Sequence, residues 1–493
     1  MIRSRSIART DADQRIEAHV WWISAVVVVG SMMSILDTTI VNVALATLGR
    51  ELHSSIAQIQ WVVTGYMLAL AAVIPVSGWA AERFGSKEVY LLSLVLFTAG
   101  SMLCGISTNT TELVIFRVLQ GVGGGMILPL GQMMMADAAG PQRMGRVMSI
   151  VAVPVMLAPI IGPTIGGLIL QNISWRWIFF VNVPIGLIAV ISAVRVLQRA
   201  KTGPRKALDV RGLVLMVTGF PLLTYGLAEI GVTGSFSSLK VVLPCLAGLA
   251  LIATFTLHSL RARNPLLNVR LYRRPTFSTA SVAMFLLSAA LFGGMILMPL
   301  YWQDIRHESV IDTGLLVGPQ GLGAAVVMPL AGKLTDRIGG GPLSLLGVAL
   351  TTLATIPFAL VGAHTSIAWL LVVMFVRGMG IGFAFMPAMT AAFAALERSE
   401  LADATPQLNV LQRVGGSLGT AVLAVVLQRA LSGAHTLSAA ASAYGTAFWA
   451  STAMTAVAIV PSLILMRAER AARAQRKQGA EEDRERALEA AAA

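Results

Sequence analysis

The chain has 493 residues, of which 56% are hydrophobic and only 12% charged, with a mean hydropathy of +0.75. A soluble domain carries about 25% charged residues, so this composition excludes an ordinary globular enzyme and makes lipid the expected solvent. The formal net charge of +13 would suggest nucleic acid in a soluble protein; in a membrane chain it reports orientation, and no nucleic-acid partner is expected.

A hydrocarbon core of about 30 Å takes roughly 20 apolar residues in a helix. A tail of residues 1–20 carries Arg3, Arg5, Arg9 and Arg15. Behind it, apolar runs of spanning length lie near 21–46, 58–81, 88–108, 111–136, 145–170 and 176–197. Two more lie near 209–229 and 239–259, and six follow near 276–300, 312–334, 341–361, 367–391, 407–430 and 444–467. These fourteen runs, here spanners 1 to 14, predict an all-α membrane protein. The first is too long for the apolar region of a cleaved signal, and none shows the short alternating segments of a barrel.

With the N-terminus in the cytoplasm, about 29 of the 37 Lys and Arg fall in cytoplasmic tails or loops and about four in external loops. That bias orients membrane proteins, so both termini are expected inside. The Ala/Glu/Arg-rich tail at 468–493 reads as a disordered cytoplasmic segment. Cys104 and Cys245 lie inside apolar runs and offer neither a disulfide framework nor metal spacing. No metal site, nucleotide-binding loop or nucleophile triad is expected. The loop near 431–443 is short and leaves little external surface for a periplasmic adaptor.

Two pairs of segments echo each other. GWAAERFGSK (78–87) matches GKLTDRIGGG (332–341), both at the cytoplasmic end of an even-numbered spanner. FRVLQGVGGG (116–125) matches FVRGMGIGF (375–383), both placing an arginine early in a Gly-rich spanner. The offsets are similar, which predicts two related six-helix bundles at 21–197 and 276–467. The segment 198–275, with its two spanners, has no counterpart. Duplicated halves around a central site are a common transporter design.

At these residues the chain resembles the major facilitator superfamily. GWAAERFGSK is similar to its loop signature Gly-x-x-x-Asp-Arg-x-Gly-Arg-Lys: Gly78, Arg83, Gly85 and Lys87 match, Glu82 replaces the aspartate and Ser86 an arginine. The second copy keeps Asp336 and Arg337. LDTTIVNVAL (36–45), RVLQGVGGG (117–125), APIIGPTIGG (158–167) and WRWIFFVNVPIG (175–186) resemble motifs of the fourteen-spanner drug:proton antiporters, the EmrB/QacA-like family. NPLLNVRLYRRPTF (264–277) and LNVLQRVGGSLGTAV (408–422) look similar too. The resemblance covers most of residues 20–467. It implies a major-facilitator fold, two six-helix bundles with two extra central helices, and says little about substrate.

Asp37 is the most informative residue. It lies inside spanner 1, somewhat outward of the middle, where an ionised carboxylate is expensive. No other acid lies deep in a spanner: Glu82, Asp137 and Asp336 sit at cytoplasmic ends, and Glu112, Glu229 and Asp312 at external ends. Burial favours the neutral acid, as a proton carrier requires; a structural carboxylate at a helix break is the alternative. Arg117 in spanner 4 comes near the same depth and must face a partner or a cavity. The matching family arginine is linked to proton coupling, whereas a clamp to backbone carbonyls would be structural. Arg377 is its repeat mate, read equally as structural. Arg413, near the start of spanner 13, reads as a side chain snorkelling to the cytoplasm.

Pro159, Gly162, Pro163, Gly166 and Gly167 should kink spanner 5 and permit close helix contact, Gly166 and Gly167 at the approach of another helix. Asn42, Trp61, Tyr66, Gln120 and Met126 are the candidate pocket residues. Trp61 also fits an external aromatic belt, and Met126 with Met133, Met134 and Met135 also fits core filler.

The function expected is export of small amphipathic, cationic or neutral compounds by a secondary transporter of the bacterial cytoplasmic (inner) membrane. A proton exchanged at Asp37 and tuned by Arg117 drives it, with no cofactor beyond the proton motive force. The expected partners are the small-molecule substrate, the proton and membrane lipid. Gly78, Glu82, Arg83, Gly85, Lys87, Asp336 and Arg337, with the spanner-5 motif, shape the gate. A dedicated exporter of one metabolite, lipid or self-made antibiotic is the alternative. A non-transporting membrane receptor is a third reading.

Overall fold

The computed structural model describes residues 17–140, 143–199, 207–394, 396–397, 400–471 and 474. Most of the N-terminal tail, of the 198–210 loop and of the C-terminal tail therefore lies outside the described residues. The structure is all-helical, and thirteen described helices are long and apolar enough to cross a membrane. Spanner 5, the 29-residue helix Met144–Asn172, makes the fourteenth. The chain is a multi-pass membrane protein.

Spanner 1 is Ala18–Glu51. Spanner 2 starts at Ile56, where Ser55 and Gln58 form a reciprocal capping box. It tightens to a 3-10 turn at Ile74–Val76, around Pro75, and continues as Ser77–Phe84. Spanners 3 and 4 are Ser86–Ile106 and Thr110–Ala139. Spanner 6 enters through the short turn Trp177–Phe180 and runs as Asn182–Val196. Spanners 7 and 8 are Val210–Thr233 and Leu239–Arg261. The second bundle comprises Pro275–Asp304, Val310–Ile338, Gly340–Ala359, Ile367–Ala394, Leu401–Leu431 and Leu437–Ala471, spanners 9 to 14.

The repeat read in the sequence is a repeat of packing. Spanner 1 packs on 4, 5 and 6, spanner 4 on 2 and 3, and spanner 3 on 6. Adding eight to each number gives the packing of the second bundle: 9 on 12, 13 and 14, 12 on 10 and 11, and 11 on 14. The bundles meet where spanner 2 lies against 13 and spanner 10 against 5, the same contact under that offset. Gly85 and Gly339 hold equivalent turns with φ of +97° and +105°, backbone that side chains other than glycine's rarely tolerate.

Spanners 7 and 8 pack against each other, and spanner 7 lies along spanners 2 and 13. Spanner 8 is the outermost: Leu239, Leu243, Leu246, Leu249 and Leu257 are all more than half exposed. In water that stripe would mark an interface; here its solvent is acyl chain. The loop between spanners 7 and 8 is therefore expected outside and the loop after spanner 8 inside. A cysteine at Ser237 should react with an impermeant maleimide from outside, and one at Asn264 only after permeabilisation. The reverse pattern would break the fourteen-spanner topology.

Candidate functional site

Asp37 and Arg117 are both fully buried and form an ion pair, Arg117 Nη1 to Asp37 Oδ2, at 2.6 Å. The other carboxylate oxygen is also occupied. Gln120 Nε2 donates to Asp37 Oδ1 at 2.9 Å and Asn182 Nδ2 donates to it at 3.0 Å. The site ties four helices: Asp37 on spanner 1, Arg117 and Gln120 one turn apart on spanner 4, and Asn182 at the start of spanner 6. Spanner 2 joins through Val62, whose carbonyl accepts from Arg117 Nε at 3.1 Å.

Each donor is itself held. Asn182 Nδ2 also donates to Ser101 Oγ, which donates to the Phe179 carbonyl, so spanner 3 fixes the amide's direction. Arg117 Nη1 also donates to Gln120 Oε1 at 2.8 Å, and the guanidinium stacks over the Tyr66 ring, its carbon 4.0 Å from the centroid. Tyr66 is buried, and its hydroxyl is 3.3 Å from Ser34 Oγ. Arg117 Nη2 is buried without an acceptor among the described residues. A buried pair with its remaining lone pairs bonded is the arrangement that can offset ion desolvation.

Proton arrival would cancel the charge on Asp37 and dissolve this pair, loosening spanner 1 from spanners 4 and 6. That is chemistry a coupling site can use. Gln120, expected in the substrate pocket, belongs to the carboxylate's shell instead. Asn182 escaped the sequence reading, although an amide within the apolar motif WRWIFFVNVPIG was its signal. Asn42 lies exposed on the outer half of spanner 1. Trp61, the other aromatic pocket candidate, is 47% exposed and stacks on Tyr225 of spanner 7, centroids 6.4 Å apart. Met126, Met133 and Met134 pack against the apolar core as partly buried filler.

Arg377 is buried like its repeat mate but meets no carboxylate among the described residues. Its Nε donates to Thr355 Oγ1 at 3.2 Å and its Nη1 to Gln320 Oε1 at 2.6 Å. The second bundle has thus kept the cation but offers it an amide from spanner 10, and on spanner 9 a glycine, Gly294, faces the guanidinium. Arg413 departs from its expected place. Spanner 13 begins at Leu401 and not near 407, because Thr405, Gln407 and Asn409 are buried against neighbours rather than left in a loop. Arg413 is twelve residues in from Leu401, about 18 Å at 1.5 Å per residue. It stands at mid-membrane and does not snorkel to the cytoplasm.

The signature segments close the two bundles together at the end expected to face the cytoplasm. A Cβ on Gly78 would stand 1.9 Å from the Ala402 carbonyl oxygen of spanner 13. Its repeat counterpart Gly332 would meet the Gly145 carbonyl oxygen of spanner 5 at 2.7 Å. Asp336 accepts from the backbone N–H of Gly145 at 3.0 Å and of Arg146 at 3.3 Å, capping the N-terminus of spanner 5. Glu82 and Arg83 lie in the last turn of spanner 2 and Arg337 in the last turn of spanner 10, beside these contacts. Lys87 Nζ donates to the carbonyls of Val194 and Leu197, closing the C-terminus of spanner 6 within its own bundle. Deeper in, Asn409 Nδ2 donates to Gln132 Oε1 at 2.8 Å across the two bundles.

In spanner 5, a Cβ on Gly162 would stand 1.9 Å from Thr39 Oγ1, and one on Gly166 3.2 Å from Ile40 Cγ2, both on spanner 1. The close approach expected at Gly167 is absent: nothing lies within 4 Å of its Cβ direction. The side chains of Pro159 and Pro163 lie outside the described residues.

Residues 27–420 match the model of the Major Facilitator Superfamily. The chain is 39% identical over 428 residues to a Multidrug resistance protein B homolog of Mycobacterium tuberculosis, covering 86% of this chain and 79% of that one. It is 30% identical over 404 residues to the Multidrug export protein EmrB of Escherichia coli, covering 80% and 77%. The structure of the human organic anion transporter MFSD10 superposes with a TM-score of 0.64 at 14% identity, covering 91% of this chain and all of that one.

Proposed function

The chain belongs to the Major Facilitator Superfamily, a membrane transporter and not an enzyme, and on that premise we propose that it exports drugs and other small amphipathic compounds in exchange for protons. The relatives named as multidrug proteins support the substrate breadth. The observation that carries the coupling is the sealed Asp37–Arg117 pair, a deep acid whose protonation changes how spanners 1, 4 and 6 are held.

The cytoplasmic contacts at Gly78, Gly332, Asp336 and Asn409 correspond to a transporter closed on the cytoplasmic side. In the cycle we propose, a proton from outside neutralises Asp37 after substrate leaves, the pair opens, and the bundles rock to expose the site inward. Substrate binding then returns the proton to the cytoplasm. The protein works in the bacterial cytoplasmic membrane with both termini inside and needs no cofactor beyond the proton gradient.

The test is proton release from purified protein in weakly buffered detergent, titrated with a panel of drugs and metabolites. Exported compounds should each release protons, and Asp37→Asn protein should release none. Compounds that are exported without any proton release would overturn the coupling. Release by a single metabolite alone would favour the dedicated exporter.

A further inference from the structure

The face of spanner 13 that meets the first bundle can be followed outward in steps of three or four residues. At its cytoplasmic end the Ala402 carbonyl oxygen and the Pro406 ring lie against Gly78. One turn on, Asn409 bonds to Gln132. The next residue on that face is Arg413, four residues further along the same helix. Arg413 therefore stands one turn outward of the Asn409–Gln132 hydrogen bond between the bundles. It is half-buried, and no acceptor or carboxylate pairs with it among the described residues.

The charges at this depth do not balance. Asp37 is committed to Arg117. Among the described residues Arg377 has only neutral partners, and Arg413 has none. Two guanidinium charges are left without a counter-ion, and an uncompensated charge in a membrane interior is expensive. A cationic substrate would add a third. The expectation of cationic compounds assumed a carboxylate free to receive them, and both oxygens of Asp37 are occupied.

Resting on the export reading above, we propose that Arg413 is the substrate-recognition cation of the central path, and that the compounds it selects are amphipaths carrying one acidic group, such as a carboxylate or sulfonate. The planar guanidinium fork fits such a group in two parallel hydrogen bonds.

The test uses one fluorescent aromatic scaffold in three forms, carboxylate, neutral amide and trimethylammonium, taken up by everted vesicles containing the full-length protein. The carboxylate form should accumulate about tenfold faster than the trimethylammonium form, a difference worth about 1.4 kcal/mol. In Arg413→Gln the ratio of carboxylate to amide uptake should fall about tenfold, and Arg413→Lys should restore part of it. Melting curves of the purified variants identify a folded protein in each case. Preference for the trimethylammonium form, or a carboxylate preference that survives in folded Arg413→Gln, overturns the Arg413 assignment alone. Uptake of none of the three forms overturns the export reading and this assignment with it.

Discussion

Asp37→Asn is expected to abolish proton-driven accumulation while the protein still inserts and folds. Asparagine keeps the shape of the side chain, and its carbonyl oxygen can still accept from Gln120 Nε2 and Asn182 Nδ2. What is lost is the titrating proton and the anion facing Arg117 Nη1. Removing one partner of a buried ion pair costs about 3–5 kcal/mol when the other is stranded. Here the cost should fall below that range, because Arg117 retains the Val62 carbonyl, Gln120 Oε1 and the Tyr66 ring. A modest fall in melting temperature should accompany a complete loss of coupling. The measurement is drug accumulation in proteoliposomes with and without an imposed pH gradient. The two rates should become equal in the variant. Uphill accumulation with unchanged pH dependence would mean that another group carries the proton.

Gly78→Leu is expected to stop the cycle by forbidding the cytoplasmic closure. A Cβ at position 78 would sit 1.9 Å from one backbone oxygen and 2.9 Å from its carbonyl carbon, so spanner 13 must retreat as a rigid body. Overpacking costs about 1–3 kcal/mol even where side chains can yield, and each 1.4 kcal/mol shifts a population tenfold. The penalty applies only to the state in which spanners 2 and 13 touch, so the variant should rest open to the cytoplasm. A cysteine at the buried position Ala402, on the face that meets Gly78, reports this directly. It should be protected from a cytoplasmic impermeant maleimide in the parent protein and about tenfold more reactive beside Gly78→Leu. Export should fall at least as far. Unchanged protection with unchanged export would show that the Ala402 backbone yields and that closure does not depend on this glycine.

The fourteen spans were legible in the sequence because a helix in lipid must be apolar over its whole length. The Asp37–Arg117 pair was legible for a related reason. Two charges at one depth in an apolar medium cost too much to remain apart, so depth alone predicted their meeting. The repeat was legible where its motifs make the same contact twice, Gly78 on Ala402 and Gly332 on Gly145.

What the sequence by itself determined is therefore how deep each residue lies and which charges must find each other. Only the tertiary structure decided which way each side chain faces. It placed Trp61 against Tyr225, gave Asn182 and Gln120 to Asp37, left Gly167 without a close neighbour, and set Arg413 one turn outward of the Asn409–Gln132 bond. The physical reason is that lipid and the protein interior are both apolar. In water, an amphipathic stripe tells a helix which face to bury; between acyl chains and neighbouring helices that contrast is weak. Rotation about the helix axis is then decided by close packing of small residues and by partners for polar groups, and those partners come from helices far away in the chain.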